Sequence, residues 1–370
     1  MSYNKIIIKT KDSSYPLLIG DNILSLTGSL IKKNIPEVKK VFIISDKKVP
    51  TEQINKIIKS LKRYNPKIYK VNSSEKIKSF KFAQMLIEKL IQANLNRSDC
   101  VIAVGGGVVG DLSGFVASII KRGINFVNIP STFLAQVDSS VGGKTGINSN
   151  LGKNLIGTFF QPNFVLTDVS MLRSLPKREM LCGYGEILKH SLILDKKFFL
   201  WLYKNANKII NNKEKNLLKF AITKSCGIKS SVVKKDENEK GLRKILNFGH
   251  TFAHGFEGAK KFSKDLNHGE AVLLGMITAS LFAYKKKLLP KKDFNLIKQH
   301  YINLDLPISI KSNFKKNEIN KIITYMQRDK KNFSKNINLI LIKSIGKIIA
   351  PNSININKNI IKSFLTKNYI

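Results

Sequence analysis

The residues best suited to chemistry lie late in the chain, where Leu246-Asn247-Phe248-Gly249-His250-Thr251-Phe252-Ala253-His254 is followed by Asn267-His268-Gly269-Glu270. This stretch gathers His250, His254 and His268 in a chain that has only 5 histidines. His250 and His254 stand four positions apart, so on a helix they project from one face. His268 follows a short loop carrying Lys264 and Asp265. Neutral imidazoles suit zinc, cobalt or iron, and catalytic zinc takes three protein ligands and keeps one position open. A carboxylate must complete such a set here. A His pair on a helix is also what ordinary packing or capping produces; the third histidine tips the reading toward a metal.

Two glycine-rich loops offer a different chemistry. Val101-Ile102-Ala103-Val104 runs into Gly105-Gly106-Gly107-Val108-Val109-Gly110-Asp111 and then a helical stretch over 112–120. A strand, a glycine run and a helix start suit a pyrophosphate, because backbone N–H groups are accessible and the helix N-terminus favours negative charge. The spacing is not Gly-x-Gly-x-x-Gly, so the ordinary dinucleotide fingerprint is unmet, and a plain tight turn fits equally well. The second loop reads Gln136-Val137-Asp138-Ser139-Ser140-Val141-Gly142-Gly143-Lys144-Thr145-Gly146, then Leu151-Gly152-Lys153-Asn154. Its Gly143-Lys144-Thr145 is like the end of a P-loop, but the first glycine required there falls on Asp138. What remains is a polar surface loop offering Asp138, Lys144, Lys153 and Asn154.

The elements that must position these residues follow from composition and pattern. A chain of 370 residues, 43% hydrophobic, is long enough for two packed domains. The best membrane candidate, 271–284, is too short to cross a bilayer. The start, Met1-Ser2-Tyr3-Asn4-Lys5-Ile6, lacks a signal peptide's apolar core. Cys100, Cys182 and Cys226 are odd in number and widely spaced, which argues against a disulfide framework and for a reducing cytoplasm. The formal charge of +39, from 64 basic and 25 acidic residues, would fit a nucleic-acid binder. Yet lysines such as Lys59, Lys213, Lys286 and Lys358 share no face or aromatic interleaving, and the accompanying Asn and Ile excess reads as AT-rich coding. Neither a specific nucleic-acid partner nor a membrane is expected.

Apolar runs at 6–8, 41–44, 101–104, 126–129 and 164–166 predict strands, with a helix over 78–95. Their alternation implies an α/β fold with a mostly parallel sheet covered on both faces. After about Ser170, amphipathic helices dominate at 180–194, 198–210, 216–233, 250–262, 269–287 and 316–328, with one small strand pair over 337–348. The expected division is an α/β domain over 1–172 and a mainly α-helical domain over 173–370.

The order of motifs carries a resemblance. Gly-Gly-Gly-Val-Val-Gly-Asp at 105–111 precedes Lys121-Arg122-Gly123, Pro130-Ser131-Thr132, the 136–146 loop, Gly152-Lys153-Asn154-Leu155-Ile156-Gly157 and Gln161-Pro162. Gly185-Glu186-Ile187-Leu188-Lys189 follows, with Asp236-Glu237-Asn238-Glu239-Lys240-Gly241-Leu242-Arg243, the histidine segment and Asp329-Lys330-Lys331. Over roughly 40–350 this closely resembles the 3-dehydroquinate synthase family, lyases of the shikimate pathway to chorismate and the aromatic amino acids. The resemblance implies a Rossmann-like NAD-binding domain, a helical metal domain and a site in the cleft between them.

In that family a glutamate and two histidines bind zinc or cobalt, positions matched here by Glu186, His250 and His268; His254 matches a substrate-side residue. The implied substrate, 3-deoxy-D-arabino-heptulosonate 7-phosphate, is oxidised transiently by NAD, loses phosphate, is reduced again and closes by an intramolecular aldol step to 3-dehydroquinate. Asp138, Lys189 and His254 match positions around the substrate hydroxyls. Lys144, Asn154, Lys229, Arg243, Asn247 and one of Lys330 or Lys331 match grips on its anionic ends. Arg122 matches a residue that reaches a neighbouring subunit's site, which implies a homodimer. For NAD the resemblance points to Asp46, to Ser73, Ser74, Glu75, Lys76, Ile77 and Lys78, and to Gly106, Gly107, Val108, Val109, Gly110 and Asp111. It points also to Ser131 and Thr132, to Lys144 and Lys153, and to Met171, Leu172, Arg173 and Ser174.

The chain departs from the family pattern at Ser73-Ser74, where Asp-Gly is more usual, and at Gly185, His190 and Ala253, none of which removes a ligand. Taken by itself, Glu186 after Gly183 and Gly185 near a helix start reads as a capping residue, and 236–239 as a solvated acidic turn. His300, Phe198, Phe199 and Trp201 read as packing. Against the cyclase stand a sibling sugar phosphate cyclase and a plain NAD- and metal-dependent polyol dehydrogenase. The dehydrogenase would accumulate NADH and has no need of the anion grips. A non-enzymatic polyanion binder would tolerate loss of Glu186, His250 or His268.

Overall fold

The computed structural model describes residues 2–263, 265–328 and 336–369. They fall into two compact units, Met1–Gly183 with Lys213–Asn238, and Tyr184–Asn212 with Glu239–Ile370.

The first unit is built on β1 (Tyr3–Lys9), β2 (Ser14–Gly20), α1 (Thr27–Asn34), β3 (Val41–Asp46), α2 (Thr51–Ser60), β4 (Lys67–Val71), α3 (Phe80–Gln92), β5 (Cys100–Gly105) and α4 (Gly107–Ile119). It continues through β6 (Asn125–Pro130), the hairpin of β7 (Lys144–Ser149) and β8 (Gly152–Phe159), and β9 (Phe164–Asp168). Seven strands form one sheet in the order β1-β2-β9-β6-β5-β3-β4. Every pairing is parallel except β1 with β2.

Alternate side chains on these buried strands feed two cores. Ile43, Ile102, Val104 and Val127 pack with Leu30, Ile31, Ile54 and Ile57 from α1 and α2. Phe42, Ile44, Val101 and Ala103 pack on the other face with Leu86 and Leu90 of α3 and Leu112 and Val116 of α4. The five predicted strands and the α3 helix are all present. β2, β4 and the β7–β8 hairpin are not among the predicted strands, although β2 carries the apolar run Leu17-Leu18-Ile19. The chain leaves β3 for β4 on one side and returns to β5 on the other, so β3 and β5 flank the topological switch point where α/β sheets bind ligands.

Beyond the sheet run α5 (Lys177–Leu194), α6 (Lys196–Asn207) and α7 (Lys215–Lys235). α7 packs on β1 and β2, with Asn4 Nδ2 donating to Thr223 Oγ1 at 3.1 Å. The compact units therefore change at Gly183 and return 213–238 to the sheet, whereas pattern alone places the change near residue 172.

The second unit adds α8 (His250–Ala259), α9 (His268–Lys285), α10 (Lys291–Asn303) and α11 (Ile319–Arg328). It ends with β10 (Asn336–Asn338), β11 (Ile342–Ser344), β12 (Lys347–Ile348), β13 (Asn355–Asn357) and α12 (Lys358–Lys367). One strand pair is expected over 337–348 and two form: β11 turns at Gly346 (φ 79°) into β12, while β10 pairs with β13 from further along the chain. Residues 271–283 of α9 are buried apart from Leu281, and no helix among the described residues is long and apolar enough to cross a membrane.

Candidate active site

Helix starts position the two expected histidine ligands. His268 opens α9 through a capping box: Asn267 Oδ1 accepts the Glu270 N–H at 2.9 Å, and Glu270 Oε2 accepts the Asn267 N–H at 3.0 Å. His250 opens α8 directly after Gly249, whose φ of 82° favours glycine. α8 and α9 cross closely because Gly275 has no side chain; a Cβ there would lie 2.3 Å from the Gly249 carbonyl oxygen. This approach brings the His250 and His268 ring centroids to 5.6 Å.

Glu186 completes the group. It lies in the middle of α5 and is 2% exposed, so the reading of a capping residue near a helix start does not hold. One ligand atom from each of Glu186, His250 and His268 lies within 4.8 Å of the others, with Glu186 Oε1 3.7 Å from His250 Nε2. The far nitrogens of both rings are engaged as metal-binding histidines require. His250 Nδ1 meets the Phe248 carbonyl at 3.3 Å, and His268 Nδ1 meets Glu257 Oε2 at 3.3 Å. Burial, Lys189 and the neighbouring histidines hold His250 well below the usual histidine range, keeping it neutral and able to coordinate. Burial also pulls His268 down, but the hydrogen bond and charge of Glu257 outweigh it and raise this group. Two imidazoles so oriented, with a buried carboxylate, fit a divalent zinc-type ion.

Lys189 Nζ sits against Glu186 Oε2 one helical turn away. His254, a turn beyond His250, stands edge-on to it with centroids 5.6 Å apart and does not belong to the Glu186–His250–His268 group. His250, His254 and Asn247 share an open cavity of about 730 Å³ with Glu239 and Lys244. Arg243 is buried in the short turn Leu242–Asn247. Lys330 and Lys331 lie outside the described residues.

In the sheet unit the expected NAD and substrate residues form three groups. Asp46 ends β3 at the switch point; its Oδ2 accepts the Ser73 hydroxyl at 2.5 Å and its Oδ1 the Lys48 N–H at 3.0 Å. Buried Lys78 donates to Asp111 Oδ2 at 2.7 Å and to Asn154 Oδ1, joining the 73–78 loop to α4 and the β7–β8 hairpin. Burial raises the Asp111 carboxyl, partly countered by Lys78. Asn148 reinforces this junction, donating to Glu75 Oε2 at 2.8 Å and accepting the Asn154 N–H at 2.9 Å. Lys229 of α7 donates to Asp138 Oδ1 and to the Asp138 carbonyl, each at 2.7 Å.

Gly106 to Gly110 run through the start of α4 as a phosphate cradle needs, and the Ser131 N–H donates to Gly105 O at 2.8 Å. The polar segment forms a turn at 135–139, buried at Ala135, Gln136 and Val137 and half-buried at Asp138 and Ser139, followed by the β7–β8 hairpin with Lys144 and Lys153 exposed on it. Met171 and Leu172 are buried, Met171 within the sheet core, so their side chains are unavailable to a ligand. Arg173 pairs with Asp21 at 3.1 Å and Ser174 is exposed. Ser74 and Lys76 are exposed, whereas Ile77 packs into the core.

Sequence reasoning passed over Asn148 and Glu257, and read the acidic turn at 236–239 as solvated. That turn is not merely solvated: Glu237 accepts from Lys11 N and Gln161 Nε2, and Glu239 accepts from Asn247 Nδ2 at 2.9 Å. Glu257 lies three residues after His254 on α8, a signal available only once a helix is assumed. His300 is buried, hydrogen-bonded to the Tyr184 hydroxyl at 2.6 Å, and packs as expected.

Two family models match residues 68–332 end to end, 3-dehydroquinate synthase N-terminal over residues 68–182 and 3-dehydroquinate synthase C-terminal over 183–332. The chain belongs to the 3-dehydroquinate synthase family. A 3-dehydroquinate synthase of Pelagibacter ubique (strain HTCC1062) is 47% identical over 99% of this chain and 99% of its own length. One from Thermodesulfovibrio yellowstonii (strain ATCC 51303 / DSM 11347 / YP87) is 41% identical over 93% of this chain and 95% of its own. Among solved structures, 2-deoxy-scyllo-inosose synthase complexed with carbaglucose-6-phosphate, NAD+ and Co2+ superposes with a TM-score of 0.87 at 28% identity, over 99% of this chain and 100% of that one. The boundary between the two 3-dehydroquinate synthase models, at 182/183, falls beside the change of compact unit at Gly183.

Proposed function

We propose that this member of the 3-dehydroquinate synthase family converts 3-deoxy-D-arabino-heptulosonate 7-phosphate to 3-dehydroquinate and phosphate with no net redox change. The observation that carries the reading is the convergent Glu186–His250–His268 donor set in a chain that matches 3-dehydroquinate synthases along nearly its whole length. These three residues would hold zinc or cobalt. Asp46 would take the ribose hydroxyls of NAD, with the start of α4 at its phosphates. When bound, the ion supplies Lewis acidity toward a substrate hydroxyl and NAD a reversible hydride acceptor.

The chain's own side chains do the rest. Lys189, His254 and Asp138 would exchange protons with substrate hydroxyls. Lys144, Asn154, Lys229, Arg243 and Asn247 grip the carboxylate and phosphate, arginine as a bidentate fork and lysine as a point charge. A polyol dehydrogenase needs no such grips. Arg122, exposed on a turn with three successive positive φ values (52°, 62° and 110° at Lys121, Arg122 and Gly123), would reach the site of a second copy in a homodimer. Buried Cys100, Cys182 and Cys226, none of them in a disulfide, fit a cytoplasmic enzyme. The test strips the protein with chelator and follows 3-dehydroquinate formation on returning Zn2+ or Co2+ in the presence of NAD+. Restored formation is expected; none from a folded, metal-loaded protein would overturn the reading.

A further inference from the structure

Gln161-Pro162 and the acidic turn at 236–239 have no role in the chemistry above, yet they meet in the structure. Glu237 follows the end of α7 and its Oε1 accepts from Gln161 Nε2 at 2.7 Å, while its Oε2 accepts the Lys11 N–H at 3.1 Å. The Gln161 carboxamide is pressed against Gly143: a Cβ there would come within 2.4 Å of Nε2 and 2.7 Å of Oε1. Gly143 also has a φ of 67°, and its carbonyl accepts the Phe160 N–H at 2.7 Å. Gly143 immediately precedes Lys144, which opens β7 opposite Phe159. The carboxylate leaves the Gln161 amide no freedom to flip, and its buried Oε1 has no hydrogen-bond partner among the described residues.

We propose that Glu237 and Gln161 are positioning residues: a strut from the end of α7 to Gly143 that fixes the spacing of two anion-gripping lysines, Lys229 on α7 and Lys144 on β7. The inference rests on the proposed substrate, whose phosphate and carboxylate demand that spacing. Displacing one grip weakens ground-state and transition-state binding alike, so the effect appears in KM and not in kcat.

The test compares the parent chain with Gln161→Ala, Gln161→Glu and Glu237→Gln, measuring KM and kcat for the heptulosonate phosphate, Kd for inorganic phosphate by calorimetry, and Tm. Gln161→Ala is expected to raise KM and the phosphate Kd about tenfold with kcat within about twofold, the pattern of lost uniform binding. Gln161→Glu, which sets two carboxylates at a 2.7 Å contact, raises both further. Glu237→Gln keeps an oxygen for Gln161 Nε2 but turns an NH2 toward the Lys11 N–H, and raises KM and the phosphate Kd less than Gln161→Ala does. A lowered Tm with unchanged KM and phosphate Kd in both Gln161 variants would overturn the proposal. If the parent chain does not turn the substrate over, the proposed function fails, while the phosphate Kd still decides whether the strut positions the lysines. Should Gln161→Ala not fold, Gln161→Glu and Glu237→Gln carry the same comparison.

Discussion

Replacing Glu257 by glutamine probes whether the carboxylate behind His268 serves the metal centre. Glu257 Oε2 lies 3.3 Å from His268 Nδ1; the Glu257 side chain is 9% exposed and that of His268 40%, so solvent partly screens the contact from the imidazole side. In the folded protein the carboxylate engages Nδ1, which leaves the other ring nitrogen to a metal ion, and it raises the basicity of that nitrogen. Loss of such an outer partner costs 10- to 100-fold in metal affinity, or roughly 1.4–2.8 kcal/mol at about 1.4 kcal/mol per tenfold. The glutamine side chain keeps the shape and one acceptor oxygen, so Glu257→Gln belongs near the lower figure and Glu257→Ala near the upper. The assay is competition for Zn2+ against a chromophoric chelator at fixed pH, with the visible spectrum of the Co2+ form as a second readout. The opposite outcome is physically meaningful. Glu257 also stabilises the protonated imidazole, which competes with metal. If its main role were to neutralise a charged His268, Glu257→Gln would tighten metal binding. Tighter or unchanged affinity refutes the orienting role.

Other changes test the remaining parts of the site. His268→Ala is expected to lose bound metal and turnover while keeping its circular dichroism; normal turnover contradicts the metal assignment. Gly275→Ala forces a methyl against the Gly249 carbonyl, with about 1–3 kcal/mol of destabilisation expected from overpacking and a weaker metal site as His250 shifts from His268. Unaltered Tm and metal affinity would show that the α8–α9 approach does not set the ligand spacing. Arg122→Ala should abolish turnover with the protomer fold intact, and catalysis left untouched defeats the shared-site dimer.

The sheet was legible where strands are continuous apolar runs, as Val101-Ile102-Ala103-Val104 and its counterparts are in buried β3, β5, β6 and β9 and Ile6-Ile7-Ile8 is in exposed β1, whereas the equally short Leu17-Leu18-Ile19 of buried β2 went unread. β4 was not legible, since exposed Lys67, Ile68 and Lys70 interrupt the pattern, nor was the β7–β8 hairpin, whose outer positions include Lys153, Asn154 and Leu155. His250 and His268 were legible as a pair because histidine is scarce here. Glu186 was assigned through the resemblance, as one acid among 25 acidic residues carries no signal of its own. Glu237, Glu239 and Glu257 were missed for a physical reason. Their roles come from tertiary partners, Gln161, Asn247 and His268, which no local spacing reveals. The Asn-rich composition likewise hid Asn148, whose side chain joins the 75–78 loop to Asn154.

The central claim is redox-neutral elimination of phosphate on a metal- and NAD-loaded protein. The most direct measurement follows inorganic phosphate released from the heptulosonate phosphate with NAD+ far below substrate, while absorbance is watched for NADH. The account predicts many phosphates released per NAD+ with no NADH accumulating, and no release after chelation. NADH accumulating in step with substrate consumed, without phosphate, would contradict it and assign a simple dehydrogenase.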